Sequence, residues 1–460
     1  MPNEDDEQEL ALAAFEARPQ SHFLTGSAGT GKSHLLNLMY QSQVAKRGQL
    51  HVYSTALTGV AASGNVGCTT LHSFAGIQTG NGTVDELVEA VSENRRAMRR
   101  WRNCQVLFVD EVSMLAVDLL EKLEHVARVI RNSTKVFGGI VVVFVGDFYQ
   151  TPPVRGRHYC FQSEVWDRIV QQRHVELKQA HRTKDAKLAA FLAGVRVGVM
   201  DRAVVEAATA IEQGGVLPTT LFARNVDVDA LNLARLEQLP GRRVEFASMD
   251  YGSVADGGGS GNRVAKVVAL AVGAQVMLTK NMPALGLVNG SRGVVVGFAT
   301  KEEQEEEDGV SSEAYARINP DELLPVVQFL ARSTPVLVER YEFAAFDGSE
   351  KLSSRLAIPL RLAWAMTIHK SQSQTIDLLE VDLTGVFEYG QVFVALSRAS
   401  SLAGLSVTGY SPNTKLCSPE VAKFYASFKP APPSPADSQC QEEDEDACWL
   451  AAKPRKKLRI

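Results

Sequence analysis

The stretch HFLTGSAGTGKSHLLNLMY, residues 22–40, limits the possible folds of this chain more than any other. It sets G-x-x-x-x-G-K-S, ending in Gly31, Lys32 and Ser33, directly after a short apolar run and directly before a helical pattern. Such a loop wraps phosphate oxygens with successive backbone N–H groups, here those of Gly26, Ser27, Ala28, Gly29, Thr30 and Gly31. The lysine reaches the terminal phosphates, and the serine hydroxyl suits Mg²⁺. The arrangement works as the junction between a strand of a parallel sheet and the helix that packs on it. The expectation is therefore an α/β fold that binds a nucleoside triphosphate.

Two further strand ends fit the same edge. In QVLFVDEVSML the apolar run Val106 to Val109 stops at Asp110 and Glu111. Asp110 is placed to hold Mg²⁺ through water, and Glu111 to take the proton of an attacking water. In VVVFVGDFYQTPPV an unbroken apolar run, Ile140 to Val145, reads as a strand covered on both faces. Gly146 and Asp147 end it, and Pro152 and Pro153 cannot donate to a ladder. Ligands of open α/β sheets sit outside the carboxyl ends of the strands. Gln150 is thereby set where an amide can hydrogen-bond a γ-phosphate or its attacking water.

The chain has 460 residues, more than one core accommodates, so several domains are expected. With 45% hydrophobic and 22% charged residues its composition is that of a globular protein. No segment approaches the roughly 20 apolar residues of a membrane span. The start, MPNEDDEQEL, has neither the apolar core of a signal peptide nor the Arg-rich character of a transit peptide, which points to cytosol or nucleus. The six cysteines are scattered without metal-ligand spacing, so reduced thiols and no zinc site are expected. A net charge of −5 argues against a uniformly basic surface but not against a basic groove. Acidic stretches at 301–308 (KEEQEEED) and 442–446 (EEDED) carry much of that charge. The closing KPRKKLRI reads equally as a solubilising end or a nuclear localisation signal.

The second half repeats the α/β signal from Leu217, in LPTTLFARNVDVDALN, and returns to it from Ile358. Between GLVNGSRGVVVGF and ERYEF, short β-branched runs with Gly and Pro turns read as a small inserted β-barrel. NRRAMRRWRN, with Arg95, Arg96, Arg99, Arg100 and Arg102 around Trp101, suits phosphate and base contacts; it suits a plain amphipathic helix with snorkelling arginines at least as well.

In order and spacing, TGSAGTGKS, STALTGVAA, CTTLHSFAGI, VDEVSM, VGDFYQTPPV, IPLRLAWAMTIHKSQSQTID and GQVFVALSRASSL resemble the petite-integration-frequency (PIF) family of superfamily one helicases, relatives of the RecD type. The resemblance covers roughly residues 5 to 425, and VDLLEKLEHVARVIR is similar to that family's signature helix. It implies an ATP-driven 5′-to-3′ DNA helicase with two RecA-like P-loop domains and an SH3-like β-barrel inserted in the second. Residue by residue, Gln8 matches the adenine-reading glutamine, and Lys32, Ser33, Asp110, Glu111 and Gln150 keep the roles given above. Arg182 and Arg398 match two arginines that the second domain points at the γ-phosphate. Thr58, His72, Asn225, His369 and Lys370 are candidate DNA contacts by motif match, each of which serves equally as a loop-stabilising polar residue. The chain departs from the family pattern at Thr151, at His181 and Thr183 beside Arg182, and at Ser373.

The expected domains are 1–170, a first RecA-like domain; 171–285 and 356–428, the two parts of a second; 286–355, the SH3-like insert; and 429–460, a disordered tail with a basic cluster. ATP and Mg²⁺ are the expected cofactors, single-stranded and forked DNA the expected partners, with no membrane. The expected state is a monomer or an assembly formed on DNA, in the nucleus or, alternatively, the mitochondrion. The competing functions are a nucleoprotein remodeller or translocase driven by the same motor, and a nucleotide-regulated binding module without catalysis.

Overall fold

A computed structural model describes residues 6–63, 67–153, 158–181, 183, 185–208, 217–252, 265–287, 289–300, 322–347, 350–372 and 374–428. Arg182, Ser373, both acidic stretches and the basic tail lie outside the described residues. The chain forms two units. The first comprises Met1–Asp201, Phe387–Ser397 and Lys415–Ile460, and the second Arg202–Val386 and Arg398–Thr414.

The first unit is built on a six-stranded sheet in the order β3-β2-β4-β5-β1-β6. These strands are β1 (His22–Gly26), β2 (Val52–Ala56), β3 (Cys68–Thr70), β4 (Val106–Asp110), β5 (Val141–Val145) and β6 (His174–Leu177). Every pairing is parallel. Because side chains alternate across a strand, successive apolar residues enter different cores. Leu24, Val106, Phe108, Val143 and Val145 pack with Leu35, Leu36 and Met39 of the helix Lys32–Arg47. Phe23, Leu107, Val109, Val142 and Phe144 pack instead with Leu120, Leu123 and Val126 of the helix Val117–Ile130. The continuous apolar runs of the sequence are thus strands covered on both faces.

The expected end of the first domain at 170 moves. Strand β6 pairs along β1, Phe23 opposite His174 through Gly26 opposite Leu177, so the sheet carries this unit beyond that point. The helix Pro419–Ala426 also belongs here and not to a second domain ending at 428, because its aromatic side chains pack on this core. Phe424 stacks on Phe161 at 4.2 Å and meets Phe148 edge-on at 5.4 Å.

The second unit holds a four-stranded parallel sheet in the order Ala365–Thr367, Thr219–Phe222, Leu379–Asp382, Leu405–Thr408. Beside it are antiparallel sheets of five, three and two strands among the described residues. The antiparallel strands run from Val244 to Leu362, so they begin before the expected insert at 286–355 and end after it. A core of Phe246, Leu270, Val276, Leu278, Val295, Val327 and Phe329 joins the five-stranded and two-stranded sheets.

Candidate nucleotide site and nucleic-acid edge

Strand β1 ends at Gly26, where a side chain would run into the Leu177 carbonyl oxygen of β6. Gly31, at φ 86°, opens the helix Lys32–Arg47 in the left-handed region, and a side chain there would strike Gln8 Nε2. Gln8, on the helix Asp6–Ala17, donates to the Thr30 carbonyl at 3.3 Å and so rests on the loop. The Thr30 hydroxyl donates to the Ser27 carbonyl at 3.0 Å. Lys32 Nζ folds back over the loop and donates to the Gly26 and Ser27 carbonyls, each at 2.8 Å. Enclosure lowers the Lys32 pKa, while Asp147, Glu111 and Asp110 draw it up and Arg196 opposes them. Ser33 is exposed in the first helical turn, which carries no side-chain cap and no acidic residue. That leaves the positive end of the helix to an anion.

Strand β5 lies between β4 and β1, so the three loops leaving their carboxyl ends share one edge. Asp110, 6% exposed, ends β4 and accepts the Glu111 N–H at 2.8 Å. Glu111 stands in the left-handed region at φ 56°, ψ 42°, a backbone cost that a carboxylate turned to a task can explain. Beyond β5, Gln150 is 8% exposed, and its N–H closes a turn on the Asp147 carbonyl at 2.9 Å. Gly390, at φ 76°, fits against the Gln150 carbonyl oxygen so closely that no side chain could replace its hydrogen. Phosphate loop, carboxylate pair and glutamine therefore come together as their positions in the sequence suggest.

Asp147 is a residue that sequence reasoning passed over. It is fully buried, and the Arg196 guanidinium grips it with two bonds, at 2.9 and 3.0 Å. Burial works against the Arg196 charge, but the Asp147 carboxylate and its hydrogen bonds outweigh that and hold its pKa above the ordinary value. Tyr425, its hydroxyl pKa pushed well up by burial and then by Asp147, is a further partner. A charge directly after an all-apolar strand was a signal for Asp147. Arg196 and Tyr425 had none, because their partner is distant in the chain.

The expectation that a second domain supplies both arginines does not fit the segment around Arg182. His181 donates its N–H to the Gly29 carbonyl at 2.7 Å, which ties that segment to the phosphate loop of the first unit. Arg398 belongs to the second unit, buried, with Nη1 at 3.5 Å from the Ser371 and Gln374 carbonyls.

Of the candidate DNA contacts, Thr58 and His72 follow the carboxyl ends of the adjacent strands β2 and β3. The Thr58 hydroxyl accepts the Ala61 N–H at 3.2 Å, and burial lowers the His72 pKa. In the second unit Asn225, His369 and Lys370 are exposed just past the paired strands Thr219–Phe222 and Ala365–Thr367. The structure thus groups two of the five on one parallel-sheet edge and three on the other. Within NRRAMRRWRN, Trp101 is fully buried and donates to the Ala75 carbonyl at 3.0 Å. Arg100 holds the Phe74 and Ser73 carbonyls at 2.8 and 2.7 Å. Those two residues follow the amphipathic-helix reading, while Arg95, Arg96, Arg99 and Arg102 are exposed.

Residues 5–192 match the family model described as PIF1-like helicase, and residues 261–298 that of the DNA helicase Pif1 2B domain. The chain is 40% identical over 440 residues to ATP-dependent DNA helicase PIF1 of Homo sapiens, which accounts for 93% of this chain and 64% of that protein's length. The crystal structure of Pif1 helicase from Candida albicans is similar at 35% identity and TM-score 0.74, covering 92% of this chain and 99% of that one. Bacteroides sp Pif1 in complex with ADP-AlF4 shares the fold at TM-score 0.73 and 23% identity, covering 92% of this chain and 96% of that one.

Proposed function

The chain belongs to the PIF1-like helicase family, and from that premise we propose that it is an ATP-driven DNA helicase. In this reading it translocates 5′ to 3′ on single-stranded DNA and opens forked or structured duplexes. The observation that carries the reading is the convergence of the phosphate loop, Asp110–Glu111 and the Gln150 turn on one sheet edge.

Each group has a distinct task. The loop amides and Lys32 bind the β- and γ-phosphates. Glu111 accepts the proton of the attacking water, and Gln150 registers whether the γ-phosphate is present. Gln8 reads the adenine. Ser33 would hold Mg²⁺ by its hydroxyl and Asp110 would hold it through water, oxygen donors of the kind that ion prefers. When bound, Mg²⁺ neutralises charge on the transferred phosphoryl group. Arg182, which falls in the chain span of the first unit, and Arg398, of the second, are the proposed guanidinium partners of the γ-phosphate. Asn225, His369 and Lys370 on one edge, and Thr58 and His72 on the other, are the proposed DNA contacts. The proposed location is the nucleus, with the mitochondrion as the alternative, which imaging of a tagged chain decides.

Two measurements test the reading. ATP turnover should rise on adding single-stranded DNA, and a duplex with a 5′ tail should be unwound while one with a 3′ tail is not. Turnover without any unwinding, joined to displacement of a bound protein, would favour the remodeller. Absence of turnover would overturn the motor reading altogether.

A further inference from the structure

Behind the phosphate loop, inside the first unit, a set of contacts joins residues that no motif connects. The Tyr425 hydroxyl donates to Asp147 Oδ1 at 3.2 Å and accepts the Phe148 N–H at 3.1 Å. Its oxygen also lies 2.7 Å from the hydroxyl of Thr25, the residue before Gly26. A phenol has one proton, and Asp147 takes it, so Thr25 is the donor in that pair. Asp147 Oδ1 accepts the Tyr149 N–H at 3.2 Å as well, and the Asp147 carbonyl closes the turn at Gln150. Arg196 lies over the Tyr149 ring at 4.5 Å and near that of Tyr425 at 5.3 Å. The two rings stack at 4.7 Å and 12°.

We propose that Arg196 and Tyr425 are positioning residues for ATP hydrolysis, fixing the spacing between the root of the phosphate loop and the turn that carries Gln150. The proposal deepens the ATPase reading and rests on it. Tyr425 touches the last side chain before the loop and the first residues of the turn through one oxygen, so neither can shift without breaking a bond to it. Arg196 adds an electrostatic task. Asp147 is a buried anion whose field reaches Lys32. Paired with the fork of Arg196 it is neutralised; alone, it would draw the Lys32 ammonium away from the phosphates.

Steady-state ATPase kinetics in saturating single-stranded DNA test this, alongside thermal unfolding and the affinity of a fluorescent ATP analogue. Tyr425→Phe keeps the ring stack and removes only the hydroxyl. It should lower kcat by at least about tenfold, well inside the roughly 100-fold that a 1 Å misplacement can cost, with KM changed less than about threefold. Arg196→Lys keeps the charge but not the fork, and should behave the same way. Arg196→Ala should also raise KM about tenfold, and adding Asp147→Asn should restore KM but not kcat, because the anion is gone and the turn still lacks its clamp. Wild-type kcat in both Tyr425→Phe and Arg196→Lys would overturn the proposal, as would losses that merely follow the unfolded fraction. A folded wild-type chain without ATP turnover would overturn the ATPase reading itself, and this inference with it.

Discussion

At the scale of single residues the proposed roles divide sharply between binding and chemistry. Lys32→Ala removes a full positive charge folded over the loop, and among the described residues its lost hydrogen bonds are those to Gly26 and Ser27. The expected outcome is loss of ATP turnover with an unchanged unfolding midpoint; turnover comparable to wild type would contradict the loop assignment. Glu111→Gln keeps shape and leaves Asp110 in place, so nucleotide affinity should persist while turnover falls about 100-fold or more. Parallel loss of both would contradict that division of roles. His22 offers a pH test. Burial pushes its imidazole from 6.5 down to about 4. The unfolded chain therefore takes up that proton first, and stability is complete above about pH 6.5 and declines toward pH 4, by about 3 kcal/mol in all. Urea midpoints at pH 7 and 4.5 should show a smaller acid loss for His22→Leu than for wild type, and equal losses would exclude His22 as the source. The placement of Lys32, Asp110, Glu111 and Gln150 on one edge was legible in the sequence because each lies within a few residues of a strand end. Arg196 and Tyr425 were not, because an ion pair and a hydrogen bond to a residue distant in the chain leave no local pattern.

At the scale of elements, the signature-like helix Val117–Ile130 serves as a strut. Buried Glu124 bonds Arg128 at 2.9 Å and the Phe137 N–H at 3.4 Å, and Glu121 accepts the Ser163 hydroxyl at 2.6 Å. Just past its end, Arg131 Nη1 reaches the Trp101, Arg102 and Cys104 carbonyls at 2.6, 3.1 and 2.7 Å, and Nε the Gly138 carbonyl at 2.7 Å. Arg131→Ala orphans these acceptors and should cost about 2–3 kcal/mol, read as a lower denaturation midpoint, with kcat per folded molecule unchanged. A fall in kcat at full folding would mean that the strut also serves the chemistry. The strands that end at Gly26, Asp110 and Val145 were legible from their apolar runs, and the helix after the phosphate loop from its pattern. The role of the helix Arg95–Asn103 stayed open between two readings, since arginines around a tryptophan read alike for nucleic acid and for packing until the depth of Trp101 decides.

At the scale of the molecule, the first domain is expected as one contiguous block, 1–170, and the first unit is not contiguous. Composition marks loops and inserts, but nothing in it says that Pro419–Ala426 returns to a core begun by Phe23. A fragment of residues 1–201 should therefore expose Phe23, Phe148 and Phe161, bind a hydrophobic dye and unfold early. Linking residues 415–428 back onto it should reverse both, and a fragment as stable without that segment would show that the aromatic seam adds nothing.

Thr25 and Tyr425 touch across 400 residues of chain. Domains at the start of a protein ordinarily fold while the ribosome is still adding the rest. Here the phosphate loop precedes by 400 residues the tyrosine proposed to brace its root, so a nascent chain carries the loop before the brace. Until Tyr425 emerges the loop stands without the clamp proposed above, and the faces of Phe23, Phe148 and Phe161 that Phe424 covers stay open.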